Sequence, residues 1–166
     1  RKSYTYVYRN TDNEYERQQA QRRLTELMVR SENLDVEVER LKKALADAPD
    51  DMIQVQMLGD LFRRMNKPLE ALPLYEKLHA RGPTGQELRE LLQILADLYR
   101  ATGDHQRSVD TYEALSKSFP QERSYCLERI AFVYAGWGRK DKAAEYAELM
   151  LRDQPCGPSP AGSALV

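Results

Sequence analysis

Few residues in this 166-residue chain are of a type that does covalent or metal chemistry. There are two histidines, His79 and His105, and two cysteines, Cys126 and Cys156. A zinc site needs clustered Cys, His or carboxylate ligands, and no CxxC, HExxH or Cys/His cluster supplies them. His79 falls near the end of a helical stretch, and His105 follows the turn Gly103-Asp104; neither has a nucleophile motif beside it. A GxSxG elbow and a P-loop are both missing. Gly136-Trp137-Gly138 has two glycines of a phosphate-cradling loop, but it follows a helical pattern and lacks the third, so it reads as a turn. The Asp and Glu residues are interleaved with Lys and Arg at helical spacing, the pattern of a solvated face. Cys126 lies in an apolar helical pattern and reads as core, while Cys156 lies in a tail of Pro, Gly and Ser. These residues point away from an enzyme, a metal or a cofactor and toward a chain that works by binding.

Lys and Arg total 25 against 26 Asp and Glu, a net charge of -1. No basic excess exists to neutralise phosphates, which argues against nucleic acid as a partner. The mean hydropathy of -0.70 comes with no apolar run long enough for a membrane span. The chain opens at Arg1 rather than Met, as expected of a processed product or an excised segment.

The elements that must carry a binding surface fall into zones. Residues 1–12 alternate, with Tyr4, Tyr6 and Tyr8 on one side, and read as an extended strand that pairs with something or stays disordered. Residues 13–47 hold no Pro or Gly and predict one long polar helix. Its apolar positions are Leu24, Leu27, Leu34, Val38, Leu41 and Leu45, with Ser31 in the one gap, which is a heptad repeat. In that register Arg30 faces Asp35, and Glu37 faces Lys42, across a parallel partner. Leu at the d positions favours a parallel dimer, and the alternative is that the stripe packs on the chain's own helices. Pro49 stops this helix, and Asp50 is the expected cap of the next.

From residue 51 the chain repeats itself at intervals of 37 and 35 residues. Gly59 recurs as Ala96 and Ala131, Phe62 as Tyr99 and Tyr134, Ala71 as Ser108 and Ala143, and Pro83 as Pro120 and Pro155. Tyr75 recurs as Tyr112, but then as Ala147. Small residues sit where the two helices of a hairpin approach, aromatics fill beside them, and Pro ends each second helix.

This pattern resembles the tetratricopeptide repeat family, with repeats at about 52–85, 89–122 and 124–157. The resemblance implies an all-α solenoid of helical hairpins over residues 51–156, with the long coiled-coil-like helix before it and a flexible tail at 157–166. It also implies a concave face built by the first helix of each hairpin, holding a partner peptide or helix. The partner-binding positions so implied are Gln56, Asp60, Arg63 and Arg64, then Gln93, Asp97 and Arg100, then Tyr125, Glu128 and Phe132. The family's carboxylate clamp for chaperone tails falls on Gln56, Asp60, Ile94, Tyr125 and Arg129, where only Arg129 fits, so that use is not expected. The family pattern leads one to expect a capping helix after the last repeat, yet Gly157-Pro158-Ser159-Pro160 follows, so the last helix is expected to keep an exposed patch. The combined expectation is a non-enzymatic adaptor or scaffold for a protein partner, self-associating through the long helix. The alternative is a structural subunit whose N-terminal segment and open solenoid end are buried by other chains.

Overall fold

The alternation of capping residues, apolar stripes and left-handed turns divides the chain into helices, and the computed structural model forms them. It describes residues 34–153 and, before them, residues 6, 10, 11, 13, 15, 16, 19, 20, 23, 24 and 27. The helices are α1 (Leu34–Asp47), α2 (Met52–Arg64), α3 (Pro68–His79), α4 (Gly85–Ala101), α5 (His105–Ser118), α6 (Arg123–Gly136) and α7 (Lys140–Asp153), with a 3₁₀ turn at Pro120–Glu122 before α6. Among the described residues there is no strand.

Local chemistry sets these ends. Asp51, rather than Asp50, caps α2 by accepting from the Gln54 N–H at 3.3 Å. Asp104 does the same for α5, accepting from the Arg107 N–H at 3.1 Å. Pro68 occupies the first turn of α3, where a missing N–H costs nothing. The turn inside each hairpin passes through a left-handed residue, Asn66, Gly103 or Gly138. There the next N–H reaches back to the carbonyl of Phe62, Tyr99 or Tyr134 at 2.8, 2.8 and 2.9 Å. All three turns are thus the same Schellman stop, which sends the second helix back along the first.

α2–α3, α4–α5 and α6–α7 are the three hairpins, and substantial packing runs between consecutive elements. Val55, Leu92 and Leu127 take the buried position four residues before Gly59, Ala96 and Ala131 on each first helix. Gly59 lets α3 approach α2: a Cβ there would stand 2.9 Å from Cε2 of Tyr75. In the second hairpin the buried Ser108 hydroxyl donates to the Ala96 carbonyl at 2.8 Å, so a polar side chain is tolerated in the seam. Among the described residues the core forms two clusters, one around Leu58, Leu61, Tyr75 and Leu95 and one around Tyr112, Leu115, Cys126 and Ile130. α7 contributes no buried residue, and Leu151 on it is 63% exposed.

The N-terminal region corrects two expectations. Tyr6 and Asn10 are helical, not extended, and the Asn10 amide donates to the Tyr6 carbonyl at 2.8 Å. Tyr4 and Tyr8 lie outside the described residues. Asn13 then accepts from the Tyr15 N–H at 3.0 Å, and each described position from 15 to 27 is helical. Residues 28–33, including Ser31 and Arg30, lie outside the described residues.

The heptad stripe is the second correction. Leu24 is 2% exposed, and Val38 and Leu41 are likewise buried, in one cluster with Leu58 and Leu61 of α2. Leu34 and Leu45 pack against that cluster, and of the six only Leu27 is exposed. The expected seam for a second copy is therefore mostly taken up inside the chain. The physical reason is that α2 has an apolar outer face, and a tethered helix covers it without the entropy loss of association. The charges agree: Glu37 pairs with Arg40 at 2.9 Å and Lys42 with Glu39 at 2.8 Å, both within α1. Lys77 ties the end of this region to α3, donating to the Pro49 carbonyl at 2.6 Å.

Candidate partner-binding surface

The first hairpin places Tyr75 of α3 under α2, where its hydroxyl donates to Asp60 at 2.5 Å. The Arg63 guanidinium lies 5.6 Å from the ring centroid. Burial, then the Asp60 charge, raises the phenol far above its ordinary range, so Tyr75 stays neutral. The second hairpin repeats the device. The Tyr112 hydroxyl donates to Asp97 at 2.9 Å, and Arg100 stands 3.8 Å from the same carboxylate.

Here a third helix joins in. Arg129 of α6 donates to Asp97 at 2.7 Å, and its Nε lies 3.4 Å from the Tyr112 hydroxyl. The Tyr112 hydroxyl bond, then the Asp97 bond and charges, hold this guanidinium above even its ordinary high value. Arg129 also covers the Tyr125 ring at 5.8 Å, and that ring meets Tyr112 edge-on at 6.3 Å. Arg100 lies over the Phe132 ring at 5.7 Å. Two arginines thus share one carboxylate, and each carries an aromatic ring toward solvent: Tyr125 is 36% exposed and Phe132 59%.

Of the positions expected from the repeat register, Asp97, Arg100, Tyr125 and Phe132 therefore come together in one patch between α4 and α6. Gln93 joins its edge, donating to Glu122 at 3.4 Å, where Arg89 also pairs with Glu122 at 2.5 Å. Asp60 and Arg63 form the separate cluster of the first hairpin. Gln56, Arg64 and Glu128 are linked to none of these by a hydrogen bond or ion pair; Arg64 and Glu128 are exposed and Gln56 half-buried.

The third hairpin breaks the device. In the register of Tyr75 and Tyr112 it has Ala147; where Asp60 and Asp97 stand it has Phe132; where Arg63 and Arg100 stand it has Ala135. The result is an apolar cleft of about 380 Å³ between α6 and α7. The substitutions are visible in the sequence once the three units are aligned, and the absence of a bulky residue at 147 is the signal for the cleft. Sequence reasoning missed Arg129 as the residue that binds two hairpins together, because its partner Asp97 lies 32 positions away in the chain.

The residues with chemical potential are occupied otherwise. His105 opens α5 and lies 5.5 Å from Trp137, which stacks on Tyr134 at 6.0 Å and under Arg139 at 4.8 Å. Trp137 thus covers its own hairpin. His79 is exposed at the end of α3. Cys126 is fully buried, and burial, with Glu122 nearby, pushes its thiol up to about 11, so no thiolate is available at neutral pH. Cys156 lies outside the described residues. Among the described residues no group of three His, Cys, Asp or Glu could hold a metal ion, and no helix is long and apolar enough to cross a membrane.

Comparison with known proteins agrees with this architecture. Residues 90–122, the second hairpin, match the tetratricopeptide repeat model. The photosystem I assembly protein Ycf3 of Synechococcus sp. strain CC9605 is 30% identical over 70 residues, covering 42% of this chain and 40% of that protein. Ycf3 of strain CC9902 is 28% identical over 89 residues, 54% of this chain and 47% of that protein. The chain thus spans under half the length of the curated relatives it matches. Among solved structures, MamA AMB-1 in form C2221 superposes with a TM-score of 0.63 at 23% identity, over 80% of this chain and 76% of the other. MamA MSR-1 in form C2 gives 0.64 at 21% identity, over 80% and 74%. These likenesses establish the fold. The second hairpin thus matches the tetratricopeptide repeat, and the helices around it share the fold of these solved structures.

Proposed function

We propose that this chain is a non-enzymatic adaptor or scaffold that lays a partner peptide or helix across the face made by α2, α4 and α6. The observation that carries this reading is the pair of exposed rings on α6, Tyr125 and Phe132, each set against an arginine held by Asp97. Exposed aromatics backed by ordered arginines are what interface hot spots are made of, and ordering before binding lowers its entropic cost. Gln56, Asp60, Arg63 and Arg64 extend the face with polar groups, and Gln93 and Glu128 complete it. A role in bringing other proteins together is in keeping with relatives named as assembly proteins. The carboxylate-clamp use is disfavoured further, since Arg129 is committed to Asp97. Self-association through the heptad stripe is disfavoured, because the chain buries most of that stripe itself.

A second reading, a subunit of a larger complex, is favoured by one observation: α7 has no buried residue and exposes Leu151. Photo-crosslinking separates the two. A benzophenone amino acid placed at Tyr125, at Gln93, at the exposed Asp110 of α5 and at Leu151 is irradiated in cells expressing the chain. Crosslinks to one protein from Tyr125 and Gln93, but not from Asp110, are expected. Crosslinks from Leu151 alone favour the subunit reading, and none from any position rejects both.

A further inference from the structure

The three hairpins present one internal experiment. The first two fill the space between their helices with a tyrosine ring from their own second helix. The third keeps the small flanking residues, Ala131 and Ala143, and loses the ring at Ala147. Phe132, Ala135 and Met150 complete the lining. What is left is a space of about 380 Å³ in the place where a ring sits twice elsewhere in the same molecule.

We propose that this cleft receives one phenylalanine-like side chain from a basic segment of the partner, in the position Tyr75 and Tyr112 hold in their own hairpins. The inference rests on the reading of the chain as a protein-interaction module and names the chemistry of what it holds. Shape argues for a ring, since the same helical frame closes on one in both other hairpins. Polarity argues against a phenol. The acceptors of the two tyrosine hydroxyls, Asp60 and Asp97, are replaced here by Phe132, so a hydroxyl would be buried without its partner. An apolar lining also gives water few groups to bond.

Charge complementarity argues for a basic neighbour. Arg129 at the cleft margin is engaged by Asp97 at 2.7 Å, and Arg100 is engaged by Asp97 and the Phe132 face. Glu128, one turn before Phe132, lines the cleft, is exposed and has no ion-pair partner. The uncommitted charge at the cleft is therefore negative, and a Lys or Arg one helical turn from the inserted ring would meet it.

The test uses the full chain with its alanine and methionine methyl groups labelled for NMR. The probe is a synthetic alanine-rich helical peptide with one Phe and one Lys a helical turn apart. Its controls replace Phe by Ala, Phe by Tyr, and Lys by Glu. Saturable shifts at the methyls of Ala131, Ala135, Ala147 and Met150 are expected with the Phe/Lys peptide. The Ala control should bind about tenfold or more weakly, the scale set by burying one large apolar side chain. The Tyr and Glu controls should each bind more weakly than the parent. Ala147→Phe should abolish the shifts, and Ala147→Leu serves the same end if the ring disturbs folding. The proposal is overturned if the Phe/Lys peptide leaves these methyls unmoved, if the Ala control binds equally, or if both filled variants bind like the parent. It is overturned in favour of a second copy if light scattering gives two chains for the parent and one for Ala147→Phe. Repeating the Tyr125 crosslink in Ala147→Phe keeps the two readings apart. A crosslink of undiminished yield rejects the cleft while the adaptor stands, and no crosslink from the parent chain rejects the adaptor itself.

Discussion

The second and third hairpins share a backbone design and differ in what closes it. α4 and α5 are joined by Tyr112, Asp97 and Arg100, and Arg129 carries that cluster into the next helix. α6 and α7 meet through Ala131, Ala143 and Ala147, with Phe132 turned to solvent. The turn between the helices is the same Schellman stop in both. The frame is therefore specified by turns and small residues, while its cohesion is specified by a side-chain cluster that can be dropped. Dropping it opens a recognition surface on one hairpin without altering the path of the chain.

This contrast can be broken at its stronger side. Tyr112→Ala removes a fully buried ring and leaves Asp97 with one partner fewer, and should cost about 3–5 kcal/mol in chemical denaturation. Phe132→Ala in the third hairpin should stay within about 0.5 kcal/mol by the same measurement, because that ring is mostly in water. Equal losses would mean that the two hairpins are closed alike.

The next effect is on the shared carboxylate. Asp97→Asn keeps the shape but weakens bonds to Arg129, Arg100 and Tyr112 together. A loss of about 1–3 kcal/mol is expected. Asp60→Asn, which weakens the bonds to Tyr75 and Arg63, is the counterpart in the first hairpin under the same conditions.

The contrast is sharpened by repair. Ala147→Tyr combined with Phe132→Asp and Ala135→Arg writes the second hairpin's cluster into the third. It should stabilise the chain by about 0.5–2 kcal/mol, read as a higher thermal midpoint. A lower midpoint would show that the cleft is shaped by more than these three positions.

The smallest effect is a pH dependence. Tyr75, Tyr99, Tyr112, Tyr125 and Tyr146 all hold their protons above the ordinary phenol range, burial being the leading cause in each. Unfolding releases them to ionise from about pH 10. The unfolded chain then binds fewer protons than the folded one, so stability is intact below that pH and falls as pH rises through it. Replacing both Tyr75 and Tyr112 by Phe should flatten the fall between neutral and alkaline pH, followed by circular dichroism.

Much of the fold was legible in the sequence because repetition is a strong signal. Gly59, Ala96 and Ala131 at intervals of 37 and 35 residues mark the close helix contacts. The heptad stripe was legible as a stripe but not as an address. Leu24, Val38 and Leu41 would look the same facing a second copy or facing Leu58, since an apolar period records a covered face and not its cover. The N-terminal alternation misled because period 2 in a tyrosine-rich segment is a packing preference, and the local bond from Asn10 to Tyr6 competes with it. The candidate surface was half legible. Tyr125 and Phe132 followed from register, but Arg129 could be read as an anchor only after α4 and α6 were side by side.

One feature of the stack bears on time rather than on structure. Substantial packing links consecutive elements, and α7, the last of the described helices, has no buried residue. A chain held together by neighbours alone opens by steps from its weakest margin. Amide hydrogens of α7 should exchange with solvent well before those of α2 and α4, and a protease should nick the third hairpin while the rest is intact. A ligand seated in the cleft should therefore slow exchange in α7 and act as a latch on the third hairpin.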